Sequence, residues 1–235
     1  MGMDKEEGSG RSQSATAFPA ADRPVAAIIS TRWSDEDARD KVNEGDQIMD
    51  ATQVRPGMTV ADIGAGEGYY TVRLARRVGP QGRVLAEDIV PEIIDALGRR
   101  INRENWQNVS VKLGTPDDPK LPAASFDRIF LVHMYHEIAE PYAFLWRLYP
   151  ALKPDGEVIV VDANRLTSNH GTPPPLLKCE FEAVGFRQTQ FRDSPFAGGY
   201  LARFKIDGGR PSPEQIKPCL VHVIQPSGKA AGDGP

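Results

Sequence analysis

The 235-residue sequence predicts an α/β domain built on a mainly parallel sheet. Two observations carry that expectation. Short apolar runs alternate with stretches whose apolar residues recur at helical spacing, and glycine- or proline-bearing stops separate them. Strands alternating with helices of about 10–15 residues imply right-handed crossovers between parallel neighbours.

The elements follow in order. Residues 60–63 form a short apolar run closed by glycines, a buried strand. Residues 67–78 follow as a helix with Leu74, Ala75 and Val78 on one face, and Gly79-Pro80-Gln81-Gly82 ends it. Residues 83–87 are a second strand, and Pro91 suits the first position of a helix reaching about Arg103, with Ile94, Leu97 and Ile101 aligned. Residues 109–113 and 128–132 give the third and fourth strands. A helix over 142–152 stops at Lys153-Pro154-Asp155-Gly156, and 157–161 is the fifth strand. Leu177, Phe181 and Val184 mark a last helix closed by Gly185, and 186–192 with 200–206 read as a terminal pair of strands.

The domain is expected to span residues 23–206. Residues 1–22, rich in Gly, Ser and Ala, read as disordered or loosely attached, and 207–235 as a proline-bearing extension with disordered final residues. Within that extension, residues 219–224 are apolar enough to dock. Arg32-Trp33-Ser34-Asp35-Glu36-Asp37 reads as a helix start capped by Ser34, a helical lid over the pocket.

Composition narrows the partners. The formal net charge of -4 and the scattered basic residues predict no nucleic-acid surface. No apolar run reaches the roughly 18 residues of a membrane span. The first 13 residues hold no apolar signal core, so the cytoplasm is expected. Cys179 and Cys219 form no CxxC pair and are read as free thiols in a reducing compartment. Nothing in the sequence specifies an oligomeric state.

Ligands of open parallel sheets bind beyond the carboxyl ends of the strands, near the switch in strand order. The first such loop reads Asp62-Ile63-Gly64-Ala65-Gly66-Glu67-Gly68. Its alternate glycines permit positive φ and let a ligand meet the backbone. Asp62 ahead of them would repel a pyrophosphate but suits a ligand bearing an ammonium group. Asp88, after the second strand, is placed to accept both hydroxyls of a ribose; capping the helix at Pro91 is its alternative role. Glu87 competes for the ribose if the register slips by one.

The stretches V-A-D-I-G-A-G-E-G-Y-Y-T, G-R-V-L-A-E-D-I-V-P-E-I-I and L-P-A-A-S-F-D-R-I-F-L-V resemble the class I S-adenosylmethionine-dependent methyltransferases of small-molecule type. The resemblance covers roughly residues 55–205. It implies a Rossmann-like, seven-stranded, mostly parallel sheet with helices on both faces and the last strand antiparallel. It also implies that Asp62 and the loop residues Gly64, Ala65, Gly66 and Gly68 hold the methionine moiety of S-adenosylmethionine. Asp88 would bind the ribose and Ile89 would flank the adenine, with S-adenosylhomocysteine as product. After the third strand many members carry Gly-Asp; here Gly114-Thr115-Pro116-Asp117-Asp118 stands instead. Thr115 and Asp117, or Asp118, are expected to replace the missing acid, or else to form a proline-stiffened turn.

The fourth strand opens into His133-Met134-Tyr135-His136-Glu137. Methyl transfer from a sulfonium needs mainly orientation, and a base only when the acceptor arrives protonated. His136, beside Glu137, is the expected base, His133 is expected against the cofactor, and Tyr135 is either acceptor wall or core. Asp162, ending the fifth strand, is expected to position the acceptor or pair with Arg165. No metal site is expected. Magnesium needs an aspartate where the fourth strand offers histidines, and a transition-metal site of His136, Glu137 and Asp162 is the lesser reading. The expected function is methyl transfer to a small or medium-sized acceptor. Its alternatives are an isoaspartyl-type protein methyltransferase and a cofactor-binding protein without turnover. The G-x-G-x-G spacing, in place of G-x-G-x-x-G, argues against a nicotinamide dehydrogenase.

Overall fold

Seven strands and six α-helices follow the predicted alternation in a computed structural model, which describes residues 11, 13–28, 36–194 and 198–220. Two short helices, α1 (Glu36–Lys41) and α2 (Glu44–Ala51), precede β1 (Thr59–Ile63), α3 (Tyr69–Val78), β2 (Arg83–Asp88), α4 (Pro91–Arg103) and β3 (Val109–Leu113). Next come β4 (Phe126–Val132), α5 (Pro141–Leu148), β5 (Leu152–Asp162), α6 (Pro174–Ala183), β6 (Phe186–Ser194) and β7 (Gly199–Ile206). The sheet order is β3-β2-β1-β4-β5-β7-β6, with β7 antiparallel to both of its neighbours. This is the expected Rossmann-like arrangement, and its order reverses between β1 and β4.

Alternation along the central strands sorts the core into two layers. Ile63, Leu131 and Val160 pack with Tyr142, Leu145, Leu148 and Phe181 of α5 and α6. Val60, Phe130, Ile159 and Leu201 pack on the other face with Leu74, Val78 and Ile48 of α3 and α2. Successive strand residues point to opposite faces, so both faces are apolar because both are covered.

Three readings of the sequence need correcting. The stop at Lys153-Pro154-Asp155-Gly156 lies inside β5: pairing with β4 runs from Phe126–Leu152 to Arg128–Glu157, so the extra residues bulge from the strand. Residues 13–22 are not loose, because Ala15 and Phe18 are buried in the main core and Phe18 meets Trp146 edge-on. Arg11 adds an ion pair to Glu140 at 2.6 Å. Their small polar composition hid these two anchors.

The third correction concerns the thiols. Cys179 of α6 and Cys219 form a disulfide, their Cα atoms 6.1 Å apart across 40 residues of sequence. The C-terminal segment turns back over α6, helped by Ile216 in the core and a bridge between Asp22 and Leu220. This pairing removes the argument from free thiols to a reducing compartment. Tyr135, open in the sequence between acceptor wall and core, belongs to the core and donates its hydroxyl to Glu180 at 2.8 Å.

Trp33 and Ser34 lie outside the described residues, as do 221–224 of the segment expected to dock. Helix α1 starts at Glu36, just beyond the predicted cap. Among the described residues, no helix is long and apolar enough to cross a membrane.

Candidate active site

At the carboxyl ends of β1, β2 and β4, where the strand order switches, lies a cavity of about 540 Å³. That volume suits a ligand of cofactor size. Its floor is the loop after β1. Gly64 and Gly66 have φ of 65° and 55°, which turns the loop tightly against the strand ends. The amide of Ala65 donates to the Glu87 carbonyl at 2.9 Å, and that of Gly66 donates to Asp88 Oδ2 at 3.0 Å. The other oxygen, Oδ1, accepts the Val90 amide at 3.1 Å. Asp88 therefore ties the first loop to Val90, the residue before α4, without capping the helix itself, and still faces the cavity.

Of the expected cofactor residues, Gly64, Ala65, Gly66, Asp88, Ile89, Thr115 and His133 line the cavity; Asp62, Gly68 and Asp117 do not. Asp62 is buried beneath the loop and accepts the Thr71 hydroxyl at 2.6 Å. Burial pushes its carboxyl up to about 6. Gly68 serves packing: a Cβ there would lie 2.5 Å from Leu97 Cδ1, so glycine lets α3 approach α4. Asp117 is drawn away by Arg147 at 2.6 Å and by the Ser14 hydroxyl, a partnership that needs the ordered N-terminal segment.

The acid beside the third strand is Glu87. It lines the cavity, is 1% exposed, and its Oε1 has no hydrogen-bond partner among the described residues. A Cβ on Gly114 would overlap that oxygen at 1.7 Å, so the glycine supplies the room. Burial, with Asp88 adjacent, raises the Glu87 carboxyl to about 8. Three carboxyls thus crowd one loop, a setting that favours a cationic ligand over a pyrophosphate.

His133 stands at the end of β4 with φ 55°, its Nε2 3.7 Å from Glu44 Oε1. Burial pushes Glu44 up, but hydrogen bonds from His133 and Arg39 outweigh it and hold the carboxyl at about 2. Helices α1 and α2 reach the cavity through this network. Glu36, Arg39 and residues 25–28 form its outer wall, as a lid would. Tyr69 lines the cavity, whereas Tyr70 turns inward to Glu44 at 2.9 Å.

His136 and Asp162 are each fully buried, with His136 Nδ1 3.0 Å from Asp162 Oδ1. Asp162 also accepts the Ala163 amide at 2.8 Å and the Thr172 hydroxyl at 2.7 Å, and it makes no pair with Arg165. Both carboxylate oxygens are acceptors in that arrangement, so Nδ1 of His136 is the nitrogen that donates to Asp162. His136 does not line the cavity; Glu137 does. An acceptor in the cavity would therefore meet Glu137 before the imidazole expected as its base. Sequence reasoning passed over His170, 34 positions further along, whose ring meets that of His136 edge-on at 5.5 Å.

Residues 60–156 match the methyltransferase domain family. Over 113 residues the chain is 32% identical to the protein-L-isoaspartate O-methyltransferase of Methanothrix thermoacetophila, covering 48% of this chain and 51% of that protein. Over 132 residues it is 31% identical to the nocamycin O-methyltransferase of Saccharothrix syringae, covering 56% and 44%. The chain thus spans about half the length of the curated relatives it matches. A solved S-adenosylmethionine-dependent methyltransferase from Aquifex aeolicus shares the fold with a TM-score of 0.62 at 22% identity, over 73% of this chain and 97% of that one. Residues 60–156 thus carry a methyltransferase domain, and the strand order and glycine loop agree with the fold of the class I S-adenosylmethionine-dependent methyltransferases that the chain resembles.

Proposed function

We propose that this protein transfers the methyl group of S-adenosylmethionine to a small or medium-sized acceptor. The observation that carries this reading is the single cavity wall shared by the glycine loop, Asp88 with Ile89, and His133 with Glu137. The first two sets suit an aminoacyl-adenosine, and the third is the polar end left for an acceptor.

The cofactor supplies a methyl carbon on a sulfonium, which leaves as a neutral thioether when the acceptor's electron pair takes that carbon. The chain's own residues hold, orient and dry the reactants. Asp88 accepts the ribose hydroxyls, the backbone of residues 64–66 meets the methionine part, and Thr115 borders the adenine. Glu137 meets the acceptor, with His136 and Asp162 behind it as support.

Incubation with methyl-labelled S-adenosylmethionine and separate panels of hydroxyl, thiol and amine acceptors tests this. Transfer to a small acceptor, reduced at least about tenfold by Glu137→Gln, is expected. Absence of transfer to every panel, despite cofactor binding, would contradict it. The relative from Methanothrix favours a second reading, methylation of isoaspartyl peptides, so such a peptide belongs in the same assay.

A further inference from the structure

We infer that His136, Glu137 and His170 bind a divalent transition metal of the zinc class at the edge of the cavity. One ligand atom from each residue can be chosen so that all three lie within 4.8 Å of one another. A tetrahedral ion about 2.1 Å from each ligand holds them about 3.4 Å apart. With His136 buried and held by Asp162, closing that difference falls to Glu137 and His170, the half-buried members of the trio. Two imidazoles and one carboxylate are a donor set suited to zinc, cobalt or ferrous iron, with a position left open for a further ligand.

Three independent features prepare the site. First, Asp162 accepts the His136 Nδ1 proton, which leaves Nε2 as the donor nitrogen and fixes the ring's orientation. Carboxylate–imidazole–metal relays use this arrangement to orient the ring and raise its basicity. Asp162 is itself held by Thr172 and the Ala163 amide.

Second, His170 is held in a left-handed conformation, φ 48°, which a residue with a side chain rarely adopts. The turn around it is pinned. The Thr172 amide donates to the Ala163 carbonyl at 2.9 Å, and a Cβ at Gly171 would lie 2.5 Å from that oxygen. Such a conformation persists only where its surroundings over-determine it, and it turns the ring edge-on to His136. Third, Nδ1 of His170 is buried with no hydrogen-bond partner among the described residues. A purely structural histidine would be expected to satisfy that nitrogen. Glu137 belongs both to this trio and to the cavity wall, so the ion lies where an acceptor's oxygen or sulfur would become its next ligand.

The proposal rests on the functional reading only for the ion's use, not for its binding. The full chain is stripped with a chelator, then titrated with Zn²⁺ against a chromophoric competitor and separately with Co²⁺ while visible absorption is recorded. We expect one equivalent to bind, with cobalt ligand-field bands of four- or five-coordination. His170→Ala should lose more than the roughly 10–100-fold that removal of an outer partner costs, and Asp162→Asn a loss within that range. His222→Ala, which removes the remaining histidine of the C-terminal stretch, should bind as the wild type does. Circular dichroism confirms folding, and His170→Gln replaces the alanine variant if that one fails to fold. Equal Zn²⁺ affinity in wild type and both His170 variants, or a cobalt spectrum of the hydrated ion, overturns the proposal. Calorimetry with S-adenosylhomocysteine on the same samples separates the two ideas. Cofactor binding without metal binding sinks the metal site alone, and metal binding without cofactor binding sinks the methyltransferase reading alone.

Discussion

Glu87 and Asp88 are adjacent in sequence yet do different work. Asp88 spends its lone pairs on the Gly66 and Val90 amides and keeps a face to the cavity. Asp88→Ala should weaken S-adenosylhomocysteine by about 1.5–3 kcal/mol, the scale of hydrogen bonds to a charged group, as calorimetry can measure. Glu87 is held in a dry place beside two other acids, and its carboxyl sits near 8 where an ordinary one lies at 4.5. The folded protein therefore keeps a proton that the unfolded chain releases. Stability from this group is full below about 4.5, falls as pH rises, and is lost above about 8. Glu87→Gln should remove that slope. Denaturation at pH 5 and pH 8.5 should show a few kcal/mol less pH dependence in the variant. An unchanged slope would mean that Glu87 ionises without difficulty. The turn at Gly64 and Gly66 and the place of Asp88 on the cavity wall were legible because backbone geometry acts locally, whereas Asp62, expected beside the ligand, lies beneath the loop against Thr71. His170 and the withdrawal of Asp117 were not, since each depends on a partner more than 30 positions away or on the N-terminal segment.

Among the elements, α6 gathers the two ends of the chain. Glu180 on its buried side pairs with Arg23 at 2.8 Å and accepts the Tyr135 hydroxyl, while Cys179 one position earlier holds Cys219. Both partners of the Arg23–Glu180 pair are almost fully buried, so removing one strands the other charge. Arg23→Ala should cost about 3–5 kcal/mol in equilibrium unfolding. Because residues 25–28 follow directly and line the cavity, the same variant should also raise the Kd for S-adenosylhomocysteine. The loss of stability without any change in Kd would separate the latch from the lid. Helices and inner strands were readable from periodicity and stops. The bulge at residues 153–156 was not, because a proline–glycine stop and a bulge inside a strand present the same local text.

For the whole molecule, sheet order follows from the alternation of elements and the right-handed crossover, which is why the architecture was accessible before any coordinates. What sequence spacing could not show is which segments return to the domain. The disulfide closes a loop of 40 residues, and in the chain-entropy account that is worth about 4 kcal/mol, with measured values often lower. Cys219→Ser, or reduction of the wild type, should lower the unfolding free energy by about 2–4 kcal/mol, and reductant should leave the variant unchanged. Equal stability with and without reductant would contradict the structural role of this pair.

The central claim is that the cavity at the switch in strand order takes an aminoacyl-adenosine. Calorimetric titration of the wild-type chain with S-adenosylhomocysteine, set against NAD, tests it most directly. One site per chain for S-adenosylhomocysteine, at least about tenfold tighter than NAD, is the predicted result. Preference for NAD, or heat from neither, would contradict it.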